Sequence, residues 1–140
     1  MSGLEMMKEM VGATEPPFSM AATIPMRVVE VEAGRVVIES EPGEQFLQPG
    51  GLVHGGYAMT LIDSAAGGAA NTLRPDGALL STLETKVNLV RAIRPDTGTV
   101  RATGTIVNAG RRVIVTEARV VDAEDHLLAL GSSTLLLTLP

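Results

Sequence analysis

Gln48-Pro-Gly-Gly-Leu-Val-His54-Gly-Gly-Tyr-Ala-Met-Thr-Leu-Ile-Asp63 is the stretch on which the fold of this chain turns. Pro49, Gly50 and Gly51 make a loop, and the apolar run behind them makes a helix that begins at His54. A helix start aims unpaired backbone N–H groups and a partial positive charge at whatever lies ahead of it, so it suits an anion or a developing oxyanion. Gly55 and Gly56 leave that approach unobstructed. Asp63 follows in the run Met59-Thr-Leu-Ile-Asp-Ser-Ala-Ala-Gly-Gly-Ala-Ala70, where burying a carboxylate without a partner or a task would be costly.

The helix is expected to run to about Leu73, with Asn71 near its end and Arg74-Pro75 beyond. Its second half is nearly all small residues, Ala65, Ala66, Gly67, Gly68, Ala69 and Ala70. Each interior glycine costs roughly 1 kcal/mol against alanine. Close approach of strand backbones would offset that cost, which predicts a sheet curled tightly around the helix.

Upstream, Leu4, Met7, Met10 and Val11 are spaced for one face of a short helix from Leu4 to about Val11, ended by Gly12 and Pro16-Pro17. Ile24 to Glu32 and Arg35 to Ser40 are rich in β-branched residues around Ala33-Gly34 and read as a hairpin closed by Pro42-Gly43. Downstream, strands are expected at Leu80 to Arg91, Thr99 to Val107, Arg112 to Val121 and Leu127 to Leu137. Pro95-Asp-Thr-Gly98, Asn108-Ala-Gly110 and Asp122-Ala-Glu-Asp125 separate them. Val100, Ala102, Gly104 and Ile106 alternate with Thr99, Arg101, Thr103 and Thr105, giving one buried and one wet face. The expected architecture is an α+β domain with one long helix and five or six antiparallel strands in a meander.

A length of 140 residues fits one domain spanning 1–140. Hydrophobic residues at 45% and charged residues at 19% put the chain in the globular class. It has no cysteine, which excludes disulfides, a thiolate nucleophile and cysteine-bound zinc, and its two histidines are too few for a His-rich metal site; no metal is expected. A net charge of −5 with three aromatics, Phe18, Phe46 and Tyr57, argues against a nucleic-acid partner. Met1 to Met10 carries two glutamates where a secretory signal needs a basic start, and no apolar run is long enough to span a bilayer. The expectation is a cytoplasmic protein without membrane or bound cofactor.

Several segments together, in order and spacing, resemble the hotdog-fold acyl-CoA thioesterases of the phenylacetate-pathway (PaaI-like) branch. They are Gln48-Pro-Gly, Val53-His-Gly-Gly56 with Asp63, Thr82-Leu-Glu84 leading to Val87-Asn-Leu-Val-Arg91 and Pro95, Asn108-Ala-Gly-Arg-Arg112, and Ala129-Leu-Gly-Ser-Ser-Thr134. The resemblance implies a curved antiparallel sheet wrapped round a central helix, protomers joined edge to edge as a homodimer, and pairing of dimers into a homotetramer. It implies that the Gly55 amide polarises a thioester carbonyl and that Asp63 is general base or nucleophile. It further implies that His54 and Gln48 orient substrate or water, and that a hydroxyl after the helix, Thr82 or Ser81, assists the carboxylate. The scarcity of aromatics departs from what an aryl-stacking pocket needs.

Thioester hydrolysis requires a polarised carbonyl, an activated attacker and a grip on the thiol leaving group. Eight residues of helix separate Gly55 from Asp63, about 12 Å at 1.5 Å per residue, too far for both to serve one carbonyl. The expected site is therefore shared between two copies across a two-fold interface. For coenzyme A, Gly56, Arg91, Arg111 and Arg112 are the candidate contacts, with Arg94 nearby. Ser64 lacks the elbow and the His-Asp partners of a serine hydrolase. His126 belongs to an Asp-rich surface turn. The rival readings are a non-catalytic module binding acyl-CoA or acyl carrier adducts, and a hotdog hydratase or dehydratase, whose histidine pattern His54-Gly-Gly does not match.

Overall fold

A computed structural model describes residues 1–13 and 19–140. The Pro16-Pro17 stop lies outside the described residues. In chain order the elements are helices α1 (Gly3–Glu9) and α2 (Met20–Thr23), strands β1 (Met26–Glu32) and β2 (Arg35–Ser40), a 3-10 turn (Glu44–Phe46), helix α3 (Gly55–Asn71), and strands β3 (Leu79–Leu89), β4 (Val100–Ala109), β5 (Val113–Val121) and β6 (Leu127–Thr138). The long helix and all six strands fall within a few residues of their expected positions. Neither α2 nor the 3-10 turn is anticipated by periodicity, because each is a single turn. Among the described residues no helix is long and apolar enough to cross a membrane.

One antiparallel sheet contains all six strands, in the order β1-β2-β4-β5-β6-β3. This corrects the expected meander. β3 pairs with β6 and not with β4, because the connection through 90–99 is no tight turn and carries the chain from one sheet edge to the interior. The β1–β2 turn does close tightly, with Gly34 at φ 81°, and its N–H is donated to Thr72 Oγ1 at the end of α3 at 2.7 Å.

Leu61, Ile62, Ala65 and Ala66 of α3 bury themselves in one cluster with Val36, Val100 and Val120 of the sheet. The small residues do what their composition predicts. A Cβ on Gly104 of β4 would lie 2.0 Å from the Ala65 carbonyl oxygen, so strand and helix backbones meet with no room for a side chain. A Cβ on Gly68 would press on Val36 Cγ1 at 3.1 Å. Gly67 differs: the nearest atom to its Cβ position is Leu135 Cδ2 at 4.0 Å, and it faces a cavity.

β1 and β3 are the two sheet edges. β3 is unusual for an edge, being eleven residues long with Leu79, Leu83 and Leu89 exposed to 70, 58 and 53%. A bulge between Thr82 and Glu84 interrupts its pairing with β6.

Candidate active site

Four hydrogen bonds fix the start of α3. Val53 N–H donates to Ile93 O at 2.9 Å and His54 N–H to Phe46 O at 2.7 Å, anchoring the incoming loop. His54 then caps the helix: its Nδ1 accepts from Gly56 N–H at 2.8 Å and its carbonyl from Tyr57 N–H at 3.0 Å. Gly55 N–H has no acceptor among the described residues, so one first-turn amide is open. Because Nδ1 accepts, the proton of the neutral ring is assigned to Nε2, a donor on an exposed side chain.

Tyr57 braces this turn from beneath. Its hydroxyl donates to Ser40 Oγ at 2.7 Å, Ser40 Oγ donates to Pro25 O, and its ring stacks on Phe46 with centroids 5.2 Å apart. Burial pushes the phenol up to about 12, with the bond to Ser40 acting in the opposite direction. Gln48 is braced too, its side-chain oxygen accepting from Gly50 N–H. Gln48, His54, Gly55, Leu89 and Arg91 share a cavity of about 270 Å³. Gly56 stands behind Gly55, bonded to His54.

Asp63 is exposed in the protomer, contrary to the expectation of burial. Its turn of α3 faces away from the sheet's centre and toward β3. Asp63 Oδ1 accepts from Thr82 Oγ1 at 2.9 Å and from Thr85 Oγ1 at a longer 3.4 Å. Of the two hydroxyls left open by the sequence, Thr82 meets the carboxylate, whereas Ser81 points to the other face of β3, as strand alternation requires. Thr85 is a residue that sequence reasoning missed. On a regular strand, residues 82 and 85 face opposite sides; the bulge between Thr82 and Glu84 turns both toward Asp63. Thr85 Oγ1 also bonds the buried Ser133 Oγ. With Thr85 donating to Asp63, Ser133 donates to Thr85, and the carboxylate is held at Oδ1 with Oδ2 open.

Asp63, Ser64 and Thr82 line two adjoining cavities of about 670 and 530 Å³. No described residue lines both the Gly55 cavity and either Asp63 cavity. Within one protomer the Asp63 carboxylate and the Gly55 amide thus open into separate cavities. Of the arginines, Arg91 lines the Gly55 cavity beyond the end of β3. Arg111 and Arg112 sit exposed in the β4–β5 turn, where Arg112 O accepts from Leu137 N–H, beside the beginning of β3. Arg94 is exposed, and His126 pairs with Asp122 at 3.0 Å in the β5–β6 turn, away from the three cavities.

A single antiparallel sheet rolled around one long helix is the architecture of a hotdog domain. The chain belongs to the thioesterase superfamily, whose family model matches residues 50–129. It is 31% identical over 114 residues to a Listeria monocytogenes protein named 1,4-dihydroxy-2-naphthoyl-CoA hydrolase, covering 81% of this chain and 90% of that one. Among solved structures, it is similar to a variant of the phenylacetic acid degradation protein PaaI from Thermus thermophilus, at 29% identity and TM-score 0.76, covering 86% of this chain and 98% of that one. A Streptococcus mutans protein solved bound to acetyl-CoA is 26% identical with TM-score 0.73, over 81% and 88% of the two chains. The protein is accordingly a thioester hydrolase.

Proposed function

We propose that this protein is a cytoplasmic acyl-CoA thioesterase, one catalytic domain per chain, whose two equivalent sites are each assembled from two copies. The observation that carries the reading is the division of the machinery: an open Gly55 amide in one cavity and an Asp63 carboxylate, held by Thr82, in another. Gly55 N–H polarises the thioester carbonyl, and a preorganised donor of this kind is worth about 3 kcal/mol. Asp63 Oδ2 takes a proton from water, the hydroxide oxygen bonds to the carbonyl carbon, and the tetrahedral intermediate collapses with loss of the C–S bond. The proton on Asp63 goes to the departing thiolate. In the nucleophilic variant Oδ2 itself attacks the carbonyl carbon and the C–S bond breaks with release of thiolate. Water then cleaves the acyl anhydride, giving the free acid and restoring the carboxylate, while the proton released goes to the thiolate. Gln48 and His54 Nε2 orient the substrate.

The free β3 edge supports sharing. Thr82 of this strand bonds Asp63, and a Cβ on Gly55 would lie 2.7 Å from Leu89 Cδ1 of the same strand. Antiparallel pairing of two β3 edges about an axis near Thr85–Lys86 sets Thr82 of one copy opposite Leu89 of the other. Asp63 of the first then comes beside Gly55 of the second. The same pairing covers exposed Leu79, Leu83 and Leu89, which would otherwise form an aggregation-prone edge. It also brings Arg111 and Arg112 of one copy toward Arg91 and Gly56 of the other, where cations suit the phosphates of coenzyme A. Pairing of dimers into tetramers belongs to the same proposal.

Free-thiol release from a panel of acyl-CoAs tests this, with Asp63→Ala and Asp63→Asn as controls and sedimentation to read assembly. The parent is expected to hydrolyse, and the variants to lose about a hundredfold or more. An active Asp63→Ala variant, or a fully active monomer, refutes the assignment.

A further inference from the structure

We infer that the acyl group is a flexible aliphatic chain of about eight to ten carbons, received in a methionine-lined cavity that runs from Asp63 along α3. This rests on the proposed acyl-CoA hydrolysis and specifies its substrate. Five of the seven methionines, Met6, Met7, Met10, Met20 and Met26, line the cavity of about 670 Å³ whose mouth holds Asp63 and Thr82. They come from α1, its C-terminal end, α2 and the start of β1, so separate elements converge on one space.

Asp63, Gly67 and Asn71 are spaced four residues apart, and all three line the cavity. The space therefore follows the helix for about 12 Å. An extended hydrocarbon advances about 1.3 Å per carbon, given C–C bonds of about 1.5 Å, so that length takes roughly nine carbons. The glycine in mid-path keeps the channel open, since its Cβ position meets nothing closer than 4.0 Å.

The lining is matched to a supple chain. The described residues that line it are aliphatic or thioether apart from a few polar side chains, and none of them is aromatic. Thioether side chains reshape around whatever fills them. Of the polar side chains remote from the mouth, Arg27 is held by Glu41 at 2.8 Å, and the side-chain oxygen of Asn71 accepts from Arg74 Nε at 3.1 Å.

The test measures kcat/KM for straight-chain acyl-CoAs from acetyl to tetradecanoyl, beside benzoyl- and phenylacetyl-CoA, and repeats decanoyl, butanoyl and benzoyl as binding isotherms on Asp63→Asn. Expected is a rise of about fourfold per methylene, the equivalent of about 0.8 kcal/mol, up to eight to ten carbons, then a plateau. Gly67→Leu fills the channel and should lower the decanoyl-to-butanoyl ratio at least about tenfold; Met20→Glu, on an exposed turn, should lower it as well should Gly67→Leu not fold. Preference for either aryl thioester, indifference to chain length, or an unchanged ratio in a folded Gly67→Leu protein overturns the inference while leaving the hydrolase reading standing. Absence of turnover overturns the hydrolase reading alone, and the isotherms then decide the chain preference.

Discussion

Replacing Gly55 by proline removes one hydrogen bond donor and almost nothing else. Gly55 is the first helical residue, where proline is well tolerated, and His54 before it sits at φ −59° and ψ 137°, the conformation a following proline favours. A Cβ at this position comes too close only to Leu89 Cδ1, the end of an exposed side chain in the protomer. The His54–Gly56 cap is retained. With the oxyanion donor gone, kcat should fall by about 10² to 10³ while the fold persists. Asp63→Asn should be similarly crippled. Mixed dimers of the two, isolated through different affinity tags, then decide the geometry. If the halves come from different copies, one site in each mixed dimer collects both lesions and the other neither, so a pure heterodimer should recover about half the parental thiol release. If each copy holds its own site, every site carries one lesion. Activity of the heterodimer no higher than that of either parent refutes the shared-site reasoning.

Thr82→Val should lower kcat more than Thr85→Val, and both should leave KM nearly unchanged, because these hydroxyls orient the carboxylate without gripping the substrate; equal KM increases would contradict this. Tyr57→Phe should cost about 1 kcal/mol in chemical denaturation through the lost bond to Ser40. The phenol, raised from 10 to about 12, stabilises the fold fully below pH 10 and loses that contribution as pH rises through 12. As Tyr57 is the only tyrosine, tyrosinate absorbance follows it alone, and Tyr57→Phe should flatten the alkaline loss of stability. Gly104→Ala should destabilise by about 1–3 kcal/mol, since its methyl group meets the Ala65 carbonyl, and a neutral effect on thermal unfolding would mean the helix sits farther from the sheet.

Much of this molecule is legible in its sequence because local chemistry coincides with global structure. Alternation and turn residues mark six strands, the Gly55-Gly56 start and Asn71 bracket the long helix, and Gly104 with Ala65 accounts for the small residues that propensity disfavours. Sheet order is not legible, since strand pairing is a long-range choice: nothing in 90–99 says that β3 will leave β4 and join β6. Thr85 is hidden for a related reason. Its side chain reaches Asp63 only through the bulge after Thr82, and no residue there announces one. The exposure of Asp63 was masked by its apolar neighbours, which face the sheet while it faces the outer edge. The methionine cavity, likewise, is drawn from segments that only the fold brings together.

Carrying the amide and the carboxylate on one stiff rod has a genetic consequence under the shared-site arrangement. A copy damaged at both Gly55 and Asp63 would not merely be idle: joined to a sound copy, it would spoil both pockets, donating a bad half to each. Such an allele should act dominantly, silencing its healthy mate, whereas alleles with single, complementary lesions should rescue one another.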